Sequence, residues 1–243
     1  MSGHSKWASI KRQKGVADVK RGQTFTKLSN AITIAVIQGG GVSDPEQNFR
    51  LRLVIEKAKA VNMPKENINR AVSKALGRQV SDMVEVVYEG FGPNGIAVIV
   101  EAVTDNKQRT TSEIKNIFDK MGGTFGQPGS TSYQFENKGL ITITDLGRKT
   151  VDDIFLIAAD AGAEDIEQAG SEVLIDTKPE ILVKVRNALS NAGISVIEAE
   201  LVKKPTTVTE IESSDAIEKI NAFINKLESL DDVQKVYTNV AVK

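Results

Sequence analysis

The chain has 243 residues, with 31 Lys+Arg against 32 Asp+Glu, no cysteine and a single histidine, His4. Disulfides and thiol catalysis are excluded, and a zinc site would need carboxylates almost alone, which is uncommon. No run approaches the roughly 20 apolar residues that span a bilayer, and residues 1–10 lack the apolar core of a secretory signal, so a soluble cytoplasmic protein of two or three small domains is expected.

Residues 1–78 read as helical. Phe25, Leu28, Ile32 and Val36 recur at three to four residues and share one helix face. Gly39-Gly40-Gly41 breaks that helix, and Asp44-Pro45 reads as a cap and first-turn proline opening a second one. The second helix turns Leu51, Val54, Ile55 and Ala58 inward and leaves Arg50, Arg52, Lys57 and Lys59 outward. Pro64 opens a third, with Ile68, Ala71, Val72 and Ala75 inward and Gly77 as its C-cap. The leader before these helices is either a further helix or partly disordered when free.

From residue 79 the period changes. Val84–Tyr88 and Ile96–Val103 read as strands joined through Gly90–Gly95. A helix carrying Ile114, Ile117, Phe118 and Met121 follows, then Gly122-Gly123 and a short strand at Tyr133–Phe135. Residues 139–202 carry strands near Leu140–Thr144, Asp165–Gln168, Val173–Asp176 and Ile194–Leu201. Helices around Val151–Ala158 and Leu182–Leu189 complete a strand–helix–strand–strand–helix–strand order, the split βαβ arrangement. A last helix (Ile217 to Leu227) and strand (Val233 to Val242) complete the unit interrupted at 138. The expected fold class is α+β multidomain: an N-terminal three-helix-type domain (1–78), an α/β domain (79–137 with 205–243), and a third domain (138–204) inserted in the second. Both α/β domains are expected to be ferredoxin-like.

The near-neutral total conceals segregated charge. Residues 1–78 hold 15 Lys+Arg against 5 Asp+Glu, and the remainder holds 16 against 27, giving +10 and −11. The extreme stretch contains Lys6, Trp7, Lys11, Arg12, Lys14, Lys20, Arg21 and Lys27 with one anion, Asp18. Lys and Arg neutralise phosphates, and an aromatic can stack on a base, so nucleic acid is the leading partner. Trp7 reads either as such a stacking group or as a core residue. Arg50, Arg52, Lys57 and Lys59 form an auxiliary cationic face. Phosphate contacts position a protein without reading sequence, and no helix presents an evident set of base-reading side chains, so folded RNA suits the leader at least as well as duplex DNA. The alternative is a protein-interaction scaffold whose basic domain binds an acidic protein.

Other motifs dissolve on inspection. Gly90, Gly92 and Gly95 match G-x-G-x-x-G, but Ile96–Val100 reads as a strand where a dinucleotide site needs a helix. The triple glycine lacks the Lys-Ser/Thr of a phosphate loop. Asp152-Asp153 follow Thr150 at a helix start and Asp231-Asp232 precede a strand, so both read as structural. No nucleophile–base triad is available. No catalytic residue, metal site or cofactor is implied.

Ser2–Lys11, Lys20–Leu28, Arg50–Lys59, Asn62–Ile68, Tyr88–Pro93, Thr104–Asn106 and Asp231–Gln234 together resemble the YebC/PmpR family, which has a mitochondrial relative, the translational activator of cytochrome oxidase. The resemblance covers essentially the whole chain. It departs at Arg12-Gln13-Lys14, where many members have His-Arg-Lys, and at Phe125, where Leu is usual; charge and hydrophobicity are kept. It implies a helical N-terminal domain plus two α/β domains, and a non-enzymatic regulator of gene expression. Members are described either as DNA-binding transcriptional regulators or as ribosome-associated translation factors that relieve stalling, so the implied partner is DNA or ribosomal RNA.

Overall fold

The computed structural model describes residues 20–77, 83–147 and 149–242. Backbone packing groups them into two compact units, one of residues 20–133 with 211–238, the other of residues 134–210 with 239–242.

The first unit opens with α1 (Lys20–Gln38), α2 (Phe49–Ala60) and α3 (Lys65–Leu76). Their shared core is Leu28, Ile32, Ala35 and Val36 from α1, Leu51 and Ala58 from α2, Met63, and Ile68 and Ala71 from α3, so the apolar stripes face one another as their spacing requires. Gly40 and Gly41 (φ 68° and 84°) end α1 in the left-handed region that glycine enters without penalty. Asp44-Pro45 does not open α2. The Asp44 carboxylate accepts the Glu46 N–H (3.0 Å) and its carbonyl accepts those of Gln47 and Asn48 (3.1 and 2.9 Å), closing an isolated turn. Asn48, in extended backbone, is the cap: its Oδ1 accepts the Leu51 N–H at 3.0 Å, while its Nδ2 donates to the carbonyls of Ala35 and Val42, each at 2.9 Å. Pro64 precedes α3 as expected. Gly77 follows it in extended backbone (φ −78°, ψ 152°), not the left-handed form usual for a C-terminal glycine.

β1 (Val84–Phe91) and β2 (Ala97–Thr104) form an antiparallel hairpin, registered from Val84↔Thr104 to Phe91↔Ala97. α4 (Lys107–Lys120) and the two-residue β3 (Thr124–Phe125) follow. The second unit then contributes β4 (Phe135–Asp145), α5 (Val151–Ala161), β5 (Asp165–Ala169), β6 (Glu172–Thr177), α6 (Leu182–Asn191), β7 (Ser195–Pro205) and β8 (Thr209–Ile211). The chain closes with α7 (Ser214–Glu228), β9 (Val233–Thr238) and β10 (Val240–Val242).

The sheet of the first unit has the order β3-β1-β2-β9, each pair antiparallel. β2, α4 and β3 form a split βαβ around β1, and β9 flanks β2. This is the ferredoxin-like layout in space, except that the strand between the split pair comes first in the chain. β2 is buried on both faces, from Ala97 to Val100 at 1% exposure or less, which is why it reads as an unbroken apolar run. Phe118 of α4 and Phe223 of α7 meet edge to face at 5.0 Å, and Ile34 of α1 packs with Met83 and Val103.

The second unit has the sheet order β5-β6-β4-β7, all antiparallel, with α5 and α6 packed against each other. Numbering its four strands along the chain gives 2-3-1-4, the ferredoxin-like order expected. Ile141, Ile143, Ile154, Ala158, Ile175, Leu182, Val185 and Leu189 are fully buried and supply its core. The strand expected at Tyr133–Phe135 begins only at Phe135 and runs unbroken into the one expected at Leu140–Thr144. Ser132–Gln134 are instead a 3-10 turn. Lys204 and Asp176 form a nearly buried ion pair between β7 and β6.

Candidate nucleic-acid interface

Lys6, Trp7, Lys11, Arg12 and Lys14 lie outside the described residues. Lys20 and Arg21 occupy the first two positions of α1. The remaining expected cations divide by what holds them. Lys27 is half-buried, and its Nζ donates to the carbonyl of Glu228 at 2.5 Å, while Gln23 Nε2 donates to that of Ser229 at 3.4 Å. Together they satisfy carbonyls that α7 leaves open at its C-terminus, where a cation is also favoured by the helix dipole. Arg50 Nη2 donates to Glu85 Oε1 at 2.8 Å, and Glu85 Oε2 accepts from Gln38 at the same distance. Arg52 pairs with Glu46 at 3.3 Å, its guanidinium carbon 5.9 Å from the Phe49 ring centre. Lys57 and Lys59 are exposed in the last turn of α2. Arg50 and Arg52 of the auxiliary face are therefore committed to internal ion pairs.

Among the cations of α2 and α3, Lys59, Lys65, Arg70 and Lys74 are exposed and make no side-chain hydrogen bond or ion pair among the described residues. Arg70 and Lys74 border a shallow, open cleft of about 240 Å³ between α1 and α3. Phe25, Thr26 and Ser29 line its α1 side; Asn67, Arg70, Ala71 and Lys74 line the other. The buried Thr33 hydroxyl lies 2.9 Å from the Ser29 carbonyl and 3.1 Å from that of Ala71, tying the two helices together next to the cleft. Residues 67, 70, 71 and 74 fall at i, i+3, i+4 and i+7, the spacing of one helix face, and that signal could have found them. The expected site did not include them.

The motifs outside the helices are structural anchors. Glu89, 7% exposed, accepts the N–H groups of Gly129 (2.9 Å), Thr131 and Ser132 (both 2.8 Å). Burial pushes its carboxyl up, but these backbone donors outweigh burial and hold it below its ordinary value. Asp232 accepts from Thr110 Oγ1 (2.6 Å), Arg109 Nη2 (2.8 Å) and Thr104 Oγ1 (3.1 Å), joining the start of β9 to the end of β2 and the first turn of α4. Burial again acts upward and is outweighed, by Arg109 first and then the two hydroxyls, so this carboxyl also lies below its ordinary value. Thr150 and Asp153 form a reciprocal capping box at the start of α5. The Gly90–Gly95 segment turns through Asn94 and Gly95 (φ 61° and 73°), with Gly92 N–H bonded to Ile96 O at 2.8 Å, and leads directly into β2. Only the 3-10 turn Pro93–Gly95 lies there and no α-helix begins after it, so the segment lacks the helix N-terminus on which a dinucleotide pyrophosphate rests.

Residues 5–78 match the family model described as the TACO1/YebC protein N-terminal domain, and residues 83–240 match that of the TACO1/YebC second and third domain. A "Probable transcriptional regulatory protein" of Roseiflexus castenholzii is 49% identical over 247 residues, covering 100% of this chain and 96% of the relative. One of the same name from Chloroflexus aurantiacus is 48% identical over 245 residues, with the same coverage. The crystal structure of a conserved hypothetical protein from Aquifex aeolicus superposes with a TM-score of 0.85 at 39% identity, covering 93% of this chain and 92% of that one. Full-length identity, both domain models and a shared fold agree: the chain belongs to the TACO1/YebC family.

Proposed function

We propose that this protein is a nucleic-acid-binding regulator of gene expression that acts by docking, not by catalysis, and works in the cytoplasm. The observation that carries the reading is the segregation of charge, +10 over residues 1–78 against −11 over the rest. A polyanion attracts the first part and repels the second, which orients the molecule and leaves the acidic part facing away from the nucleic acid. Lys6, Lys11, Arg12, Lys14, Lys20 and Arg21 are the proposed phosphate contacts, with Trp7 stacking on a base and Lys57 and Lys59 as auxiliary contacts. The regulatory name carried by full-length relatives supports the same reading.

Equilibrium binding to duplex DNA and to 70S ribosomes, measured in parallel across a salt series, tests it. Saturable ribosome binding at physiological salt, with DNA binding lost as salt rises, identifies a translation factor. Salt-resistant, sequence-dependent DNA binding identifies a transcriptional regulator. If Lys11→Glu/Arg12→Glu/Lys14→Glu binds both as tightly as the unmodified chain, docking through the leader is refuted, and an acidic protein becomes the partner to seek.

A further inference from the structure

We propose that the cleft between α1 and α3 seats one nucleotide of a single-stranded segment, with Arg70 and Lys74 on its phosphates and Phe25 against its base. The inference rests on the nucleic-acid reading above but adds a site distinct from the leader. Three features of the cleft carry it. Its two cations are exposed and make no hydrogen bond or ion pair among the described residues, unlike Lys27, Arg50 and Arg52, which are engaged internally. Among the described residues no acidic side chain lines it, so a phosphate entering meets no like charge from them. Its walls also combine an aromatic ring with the Ser29 hydroxyl and the Asn67 amide, the mixture that a base and its sugar demand.

Size selects the occupant. At about 240 Å³ the cleft falls below the roughly 300 Å³ at which small-molecule pockets begin. It is an open trough that suits one unit of a polymer passing through. A duplex offers only its phosphates here, because its base faces are stacked inside. A single strand or loop offers both phosphate and base.

The test is anisotropy binding of the full chain to labelled oligouridylate, oligodeoxyuridylate and duplex DNA across a salt series. The proteins compared are the unmodified chain, Arg70→Gln/Lys74→Gln, Phe25→Leu and the triple leader variant. Thermal melting verifies that each is folded. The glutamine pair should weaken single-strand binding at least tenfold and lower the log–log salt slope by about 1.4, at about 0.7 per lost phosphate contact. Phe25→Leu, which keeps an apolar side chain at that position, should weaken single-strand binding about fivefold or more and leave duplex binding unchanged. A preference between the two single strands reports whether the sugar is read at Ser29 and Asn67. If both cleft variants bind like the unmodified chain while the leader variant does not, the cleft proposal is overturned and docking through the leader stands. If the unmodified chain binds none of the three, both readings fall.

Discussion

Replacing Glu89 with glutamine keeps its shape and removes its charge, at a site where the charge gathers three backbone N–H groups of the segment between β3 and β4, residues 126–134. In the native protein Oε2 accepts from the N–H groups of Thr131 and Ser132, both at 2.8 Å, and Oε1 from that of Gly129 at 2.9 Å. Glutamine has one carbonyl oxygen, so its amide nitrogen must face either Gly129 N–H or the other pair, placing donor against donor. A hydrogen bond to a charged group contributes about 1.5–3 kcal/mol, and a buried group left unpaired costs a similar amount. One bond lost and the remainder weakened give an expected destabilisation of about 3 kcal/mol. For a chain of this length that is a fall of about 6–12 °C in melting temperature. The pH dependence carries a definite sign. The folded carboxyl lies below its ordinary value, so its contribution is present above the unfolded glutamate pKa of about 4.3 and disappears as pH falls through the lower folded value. The melting gap between the two proteins should therefore be widest near neutrality and narrow as pH falls below about 4. Calorimetry across that range measures both quantities. A melting temperature within about 2 °C of the unmodified protein at pH 7, or a gap that does not narrow in acid, would refute the argument.

Two further substitutions probe how polar groups hold each unit. Lys204→Met strands the Asp176 carboxylate in a nearly buried site and should cost about 3–5 kcal/mol, while Lys204→Met/Asp176→Leu should recover most of the loss; chemical denaturation of both reports the difference. Asn48→Ala removes the cap of α2 and both donors to the Ala35 and Val42 carbonyls, for an expected loss of about 2–3 kcal/mol by denaturant titration.

The parts of the fold that were legible in the sequence are those specified by local period. Leu28, Ile32 and Val36 mark the buried face of α1 because a helix returns to the same face every three to four residues, and the inserted unit could be ordered from its alternating elements alone. What escaped was set by partners distant in sequence. The chain turns at Ser132–Gln134 because a carboxylate more than forty residues earlier gathers its N–H groups. α2 starts at Phe49 and not after Pro45 because Asn48 finds two carbonyls to bind and Asp44 is consumed in its own turn. The same limit applied to the candidate site. Composition identified a cationic region, yet Arg50 is drawn to Glu85 and Lys27 to a carbonyl 201 positions away. No spacing rule reveals which lysine is already in use. The spacing of Arg70 and Lys74 places them on one helix face, but that this face borders a cleft emerges only once α1 and α3 lie side by side.

The second unit interrupts the first, and its own strand pairing changes what that interruption costs. Phe135 pairs with Pro205, and Gln134 O accepts both the N–H and the hydroxyl of Thr206 (2.8 and 3.0 Å), closing a detour of 72 residues at its neck. Loop-closure entropy grows by about 0.6 kcal/mol for each doubling of loop length. The loop from the end of β2 (Thr104) to the start of β9 (Val233) is thereby shortened by 72 positions to less than half its length, which removes just over one doubling, or roughly 0.7 kcal/mol, from the cost of bringing β9 back to β2. Once folded, the insertion acts on its host as a tight turn would. The order of assembly follows: pairing of β2 with β9 is easiest after the inserted sheet has formed, and a mutation that melts only the insertion loosens its host without touching a single host contact.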